Sequence, residues 1–200
     1  ITTAEGGMVI SKNKEFLEKI SYLKAFGLDR NYSERKIPGL YDVKALGLNY
    51  RISEIHSAIG IEQLKKLPEF LKKRKNNFQS LFNNLNNIPN TRIIPQLDKD
   101  GYVSSYYCLS LVLDENLRNK REEIMRKLTE KEVGTSIYYP SPVPRMKYYK
   151  EKYGYDSSKF KNAEGISDGV ISFPVGPHLL PEDIDFISSS FIEIIEQLNV

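Results

Sequence analysis

Asn49 and Arg51 flank Tyr50, and Ser53 follows at the start of an apolar-periodic run. An amide, a guanidinium and a hydroxyl gathered at a helix start make an anion site. The first N–H groups of a helix have no partner within it, and its dipole is positive there. A phosphate held by such donors forms charge-assisted hydrogen bonds. The alternative is a turn shaped by Asn49, with Arg51 solvated or paired with an acid. Tyr138 and Tyr139, ahead of Pro140, offer a different chemistry. Two phenols at a strand end stack on a sugar or base and donate to hydroxyls. The alternative there is one ring inward and one outward. His56 and His178 lie far apart without companion ligands, so no metal site is expected. No phosphate-binding glycine loop, dinucleotide fingerprint or nucleophile elbow is present.

The elements that must position these residues follow from periodicity. Ser53 is a good N-cap. Ile55, Ala58, Ile59, Ile61, Leu64 and Leu67 then fall on roughly one helical face. Pro68 is expected to break or restart that helix. Residues 69–85 read as helical again, and 83–90 as an end and a turn. Upstream, Met8-Val9-Ile10 reads as a short strand. Residues 14–26 read as a helix capped by Asn13 and ended by Gly27, and 29–45 as a long polar loop. Downstream, strands at 102–113, 134–139 and 170–173 alternate with helices at 117–132, 146–153, 159–169 and 182–198. This order predicts an α/β fold with helices on one face of a sheet. The domain boundary is placed near Pro68, giving domains 1–67 and 68–200.

Composition narrows the classes. The chain is 40% hydrophobic and 28% charged, the balance of a soluble globular protein. A net charge of +3 is too weak to argue for nucleic acid. The run Lys72-Lys73-Arg74-Lys75 reads as a solvated helix face. Cys108 is the single cysteine, so no internal disulfide forms and a reducing cytoplasm is expected. No apolar run approaches the roughly 18 residues of a membrane span.

The tract at 47–67 resembles the signature of the DegT/StrS family of pyridoxal-phosphate-dependent nucleotide-sugar aminotransferases. Gly47, Asn49, Tyr50, Arg51, Ser53, Ile55, Ala58, Gly60, Gln63, Leu64 and Leu67 carry the match. Leu48 departs from the family's aromatic, and Ser57 from its alanine. Residues 1–7, 134–140 and 172–177 match in the same order. The resemblance implies the C-terminal part of a fold-type I transferase. Residues 1–67 would finish the large cofactor domain, and 68–200 would form a small α/β sandwich. It implies transfer of an amino group, with glutamate the expected donor, to a nucleotide-linked keto-sugar. It further implies a homodimer in which Asn49 reaches the partner's cofactor phosphate. Arg51 would hold a phosphate or a sugar hydroxyl, and Tyr138 and Tyr139 would face the substrate. Glu5-Gly6-Gly7 would turn the chain back past the cofactor.

The family's Schiff-base lysine and pyridine-binding aspartate fall ahead of Ile1. No catalytic residue is therefore assigned within this chain, and the chain alone is expected to be inactive. Tyr138 stands where the family has the first histidine of a His-Tyr-Pro tract, and Pro144 where it has a later histidine. That departure leaves the sugar open. Two alternatives remain: a sugar dehydratase on the same fold, with histidine at the lysine position, and a regulatory relative that binds no cofactor.

Overall fold

The computed structural model describes residues 1–29, 36–96, 99 and 101–198. Of the polar loop expected at 29–45, residues 30–35 lie outside the described residues. The chain divides into two compact units, Ile1–Leu67 and Pro68–Val200.

In the first unit, Asn13 Oδ1 accepts the Phe16 N–H at 3.1 Å and opens helix α1, Lys14–Leu23. The helix ends earlier than its apolar spacing suggests, because the next residues pair with the tract ahead of the second helix. Leu48 N–H donates to Leu23 O at 2.7 Å, Phe26 N–H to Leu48 O at 3.0 Å and Tyr50 N–H to Lys24 O at 2.8 Å. The crossing is close: a Cβ on Gly47 would lie 2.1 Å from the Gly27 nitrogen, so only glycine fits there. The strand expected at Met8-Val9-Ile10 does not form. That segment is exposed and pairs with no strand among the described residues.

Helix α2, Glu54–Leu85, runs for 32 residues with Pro68 inside it. The expected break at Pro68 is therefore corrected. A proline removes one donor and crowds the preceding carbonyl, a penalty of about 3 kcal/mol. Downstream the helix buries Phe78, Leu81 and Leu85 in the core of the second unit, and that packing offsets the penalty. Upstream the apolar stripe is bare, with Ile55 74% and Ile61 56% exposed.

In the second unit three strands form an antiparallel sheet in the order β1 (Thr91–Ile93), β2 (Cys108–Leu113), β3 (Val170–Pro174). β1 is too short for its periodicity to be read. β2 is shorter than expected because Ser104 Oγ accepts the Tyr106 N–H at 3.1 Å and Tyr106 turns to φ 46°. Leu109 faces Phe173 and Leu111 faces Ile171 in register, giving the sheet an apolar face. Helices cover it with Leu81 and Leu85 of α2, Ile124 and Leu128 of α4 (Arg121–Glu130), and Ile184 and Phe191 of α7 (Pro181–Gln197). The Phe173 and Phe191 rings meet edge to face at 5.2 Å.

The helix expected at 117–132 is two helices, α3 (Glu115–Arg118) and α4. Asp114 caps the first by accepting the Asn116 N–H at 3.0 Å. Helices α5 (Lys147–Tyr153) and α6 (Lys161–Gly169) follow, with one-turn 3-10 segments at Val143–Arg145 and Ser157–Phe160. Gly154 at φ 62° ends α5. The strand expected at 134–139 reduces to one bridge, in which Ser136 and Ser172 exchange backbone hydrogen bonds. Pro140 stops the pairing from extending. No helix among the described residues is long and apolar enough to cross a membrane.

Candidate active site

Asn49 and Arg51 lie in the first unit, Tyr138 and Tyr139 in the second. The backbone around Asn49 is fixed by its pairing with residues 23–26, including a bridge between Asn49 and Ala25. Ser53 then caps α2, its hydroxyl accepting the His56 N–H at 3.2 Å. The N-terminal tract lies along the same helix: Thr2 N–H donates to Gln63 Oε1 at 3.3 Å, and Gly60 leaves room for the Thr3 methyl. Asn49 and Arg51 are both exposed, and neither side chain bonds to another described residue. The tract therefore holds a neutral donor and a cation rigidly by their backbone and leaves both heads free. Such a pair suits an oxyanion supplied from outside the unit.

In the second unit Tyr138 lines a cleft of about 360 Å³ on the polar side of the sheet, where Ser110, Ser172 and Ser136 sit side by side. Ser110 and Ser172 hydroxyls are 3.0 Å apart. The Tyr138–Tyr139 peptide is cis. Tyr138 is half-buried and Tyr139 is 69% exposed. The Tyr107 and Tyr138 hydroxyls are 3.3 Å apart. Either hydroxyl can donate in that bond. The bond to Tyr107, with one to Ser136, holds the Tyr138 phenol below its ordinary range, and the bond to Tyr138 holds Tyr107 above it.

The cleft is completed by two groups that the sequence read otherwise, Arg74 as part of a solvated helix face and His178 only as an unlikely metal ligand. Arg74 of α2 contributes a guanidinium whose only acceptor among the described residues is Ser105 O, at 3.5 Å. His178 lies over Gly176, where a Cβ would meet the imidazole at 2.4 Å. Asn77 holds that turn by donating to Gly176 O at 3.0 Å and Leu179 O at 3.3 Å. Among the described residues no carboxylate lines the cleft, so it suits a hydroxyl-rich or anionic ligand. Tyr107 is 31 residues from Tyr138, and no local pattern joins them. Only the strand register does so.

The segment following Tyr139 is fastened by Arg145. Its guanidinium donates to both Asp168 oxygens, at 2.6 and 3.1 Å, and pairs with Glu164 at 3.2 Å. The hydrogen bond from Arg145 holds the Asp168 carboxyl below the usual carboxylate range. Among the described residues no three His, Cys, Asp or Glu side chains gather as a metal site.

The sequence model of the DegT/DnrJ/EryC1/StrS aminotransferase family matches residues 1–191. A UDP-4-amino-4,6-dideoxy-N-acetyl-beta-L-altrosamine transaminase of Campylobacter jejuni is 30% identical over 201 residues, which is 100% of this chain and 50% of the relative. An uncharacterised protein of Methanocaldococcus jannaschii is 28% identical over 98% of this chain and 51% of its own. Among solved structures, Helicobacter pylori PseC, an aminotransferase involved in the biosynthesis of pseudoaminic acid, superposes with a TM-score of 0.86. It is 26% identical and covers 98% of this chain and 50% of its own. The chain thus spans about half the length of the curated relatives it matches.

Proposed function

This chain belongs to the DegT/DnrJ/EryC1/StrS aminotransferase family, and from that premise we propose that its full-length protein moves an amino group from glutamate to a nucleotide-linked keto-sugar with pyridoxal phosphate. The fold is that of the C-terminal part of a fold-type I sugar aminotransferase. In the proposed arrangement, residues 1–67 end the cofactor domain and 68–200 form the small domain. The reading is carried by the paired free donors, Asn49 and Arg51, held just ahead of α2.

Pyridoxal phosphate fits these donors, because its phosphate needs neutral and cationic N–H groups at a fixed spacing. When bound, it supplies the electron-withdrawing ring that lets nitrogen pass from donor to acceptor. The chain's own residues bind and orient. Asn49 donates its amide N–H to the phosphate. Arg51 neutralises charge on that phosphate or on the nucleotide. Tyr138 presents a phenol oxygen poised by Tyr107 to a sugar hydroxyl, and Tyr139 offers its exposed ring for stacking. In our reading Asn49 serves the site of a second copy. The apolar surface of the first unit is open to cover by the rest of the cofactor domain and by a second copy: among its described residues only Gly27 is buried, while Leu46 is 94% and Tyr50 74% exposed. Such a surface is built to be covered.

The reaction is tested by supplying the full-length protein with ¹⁵N-amino glutamate and a nucleotide-linked 4-keto sugar. The label is expected in the sugar product, with 2-oxoglutarate formed in equal amount. Water lost from the sugar with no nitrogen gained would overturn the transfer.

A further inference from the structure

At the other end of the sheet from the Tyr138 cleft, the second unit carries a larger cleft of about 640 Å³. Arg92 reaches it from β1, Arg118 from the end of α3 and Lys161 from the start of α6. It opens beside Val112 and Leu113, whereas the Tyr138 cleft opens beside Cys108. Cys108 and Val112 lie four residues apart along β2, a distance of about 13 Å at 3.3 Å per residue.

The unusual feature is what these cations lack. Several cations elsewhere in the unit have acidic partners: Lys131 pairs with Glu193 at 2.8 Å, Lys120 with Glu123 at 3.8 Å and Arg145 with Asp168 at 2.6 Å. Arg92, Arg118 and Lys161 have no ion pair or side-chain hydrogen bond among the described residues. Arg118 Nε, like Arg74 Nε, is buried with no acceptor among the described residues, although the Arg118 charge acts on Asp168 at longer range. Leaving a guanidinium edge unsatisfied is costly in the absence of a ligand that draws it out. The one acid in the lining, Asp114, is already committed to the α3 cap. The lining therefore carries three positive charges against one negative. Asn162 adds an amide that can donate to an oxyanion.

We infer that this cleft is a second binding site, for a small phosphorylated ligand held by Arg92, Arg118 and Lys161. The volume suits a ligand of nucleotide size. The inference rests on charge and geometry within the second unit and is independent of the amino-transfer reading. Its chemistry, a phosphate group, has two sources: a simple phosphate or a nucleotide.

The test is a titration of the methyl-labelled full-length protein, first with inorganic pyrophosphate and then with UDP, followed by NMR. Val112, Leu113 and Ile166 line the cleft and report on it, while Val175 reports on the Tyr138 cleft. Saturable shifts at the first three methyl-bearing residues are expected with pyrophosphate. Tighter binding of UDP at the same reporters assigns a nucleotide, and equal binding a simple phosphate. Arg118→Met is expected to weaken the binding about tenfold or more, as loss of a charge-assisted bond does. The double variant Arg92→Met with Lys161→Met changes only exposed side chains, so it keeps the test open if Arg118→Met fails to fold. Silent reporters at millimolar ligand, shifts confined to Val175, or an affinity unchanged in the double variant would overturn the site.

Discussion

Asn49 is held by backbone bonds on both sides of it, so its amide can be removed without loosening the turn that carries it. In the full-length protein, Asn49→Ala is expected to weaken pyridoxal phosphate binding about ten- to a hundredfold, the worth of one hydrogen bond to a charged group. Equilibrium dialysis of the cofactor measures this, with circular dichroism to confirm the fold. Unchanged affinity would reduce Asn49 to a turn former. The phenol pair gives a second test at this scale. Tyr138 owes its lowered titration first to Tyr107, so Tyr107→Phe should move Tyr138 back up toward the ordinary phenol range near about 10. A near-ultraviolet phenolate titration reads the shift. An unmoved Tyr138 would mean that the two hydroxyls do not share a proton in solution.

Among the elements, the Val143–Arg145 turn and α6 stand or fall together through Arg145 and Asp168. Folding lowers the Asp168 pKa, so the native state binds that proton more weakly than the unfolded chain does. The pair therefore stabilises the fold above the ordinary carboxylate range, and that contribution is lost as pH falls through the lowered value. Asp168→Asn is expected to cost about 1 kcal/mol at neutral pH, because both side chains are about a third exposed and solvent screens the pair. The cost should shrink in acid; urea melts at two pH values compare the two. A penalty that persists in acid would assign the effect to packing.

The elements also separate what was legible in the sequence from what was not. Asn13, Ser53 and Asp114 cap helices through local bonds, and the first two could be read from residue type alone. Leu109, Leu111, Ile171 and Phe173 are likewise recognisable as strand core by composition. Pro68 misled because a proline's penalty is local, whereas the packing of Phe78, Leu81 and Leu85 is tertiary. The strand at Met8 to Ile10 misled because an apolar triplet needs a neighbour to become a strand. At the site, Tyr138 could be named from its tract. Tyr107 and Arg74 could not, because they reach the cleft through strand register and a long helix.

For the whole molecule, burial is lopsided. Among the described residues all the buried apolar ones belong to the second unit, while the first exposes Met8, Ile10, Leu46, Tyr50 and Ile55. A domain that folds around its own core does not look like this. The function proposed above adds that the sites are built from two copies, with Asn49 and Arg51 given by one to the other. Mixing two inactive full-length proteins tests it most directly. One carries Asn49→Ala with Arg51→Ala, and the other lacks the Schiff-base lysine. If the sites are shared, each hybrid dimer has one site with both defects and one with neither, and amino-transfer activity returns toward about a quarter of wild type after random exchange, since about half the dimers are hybrids with one sound site each. If each site draws only on its own chain, every site in the hybrid stays damaged. No recovery after demonstrated subunit exchange would contradict the shared site.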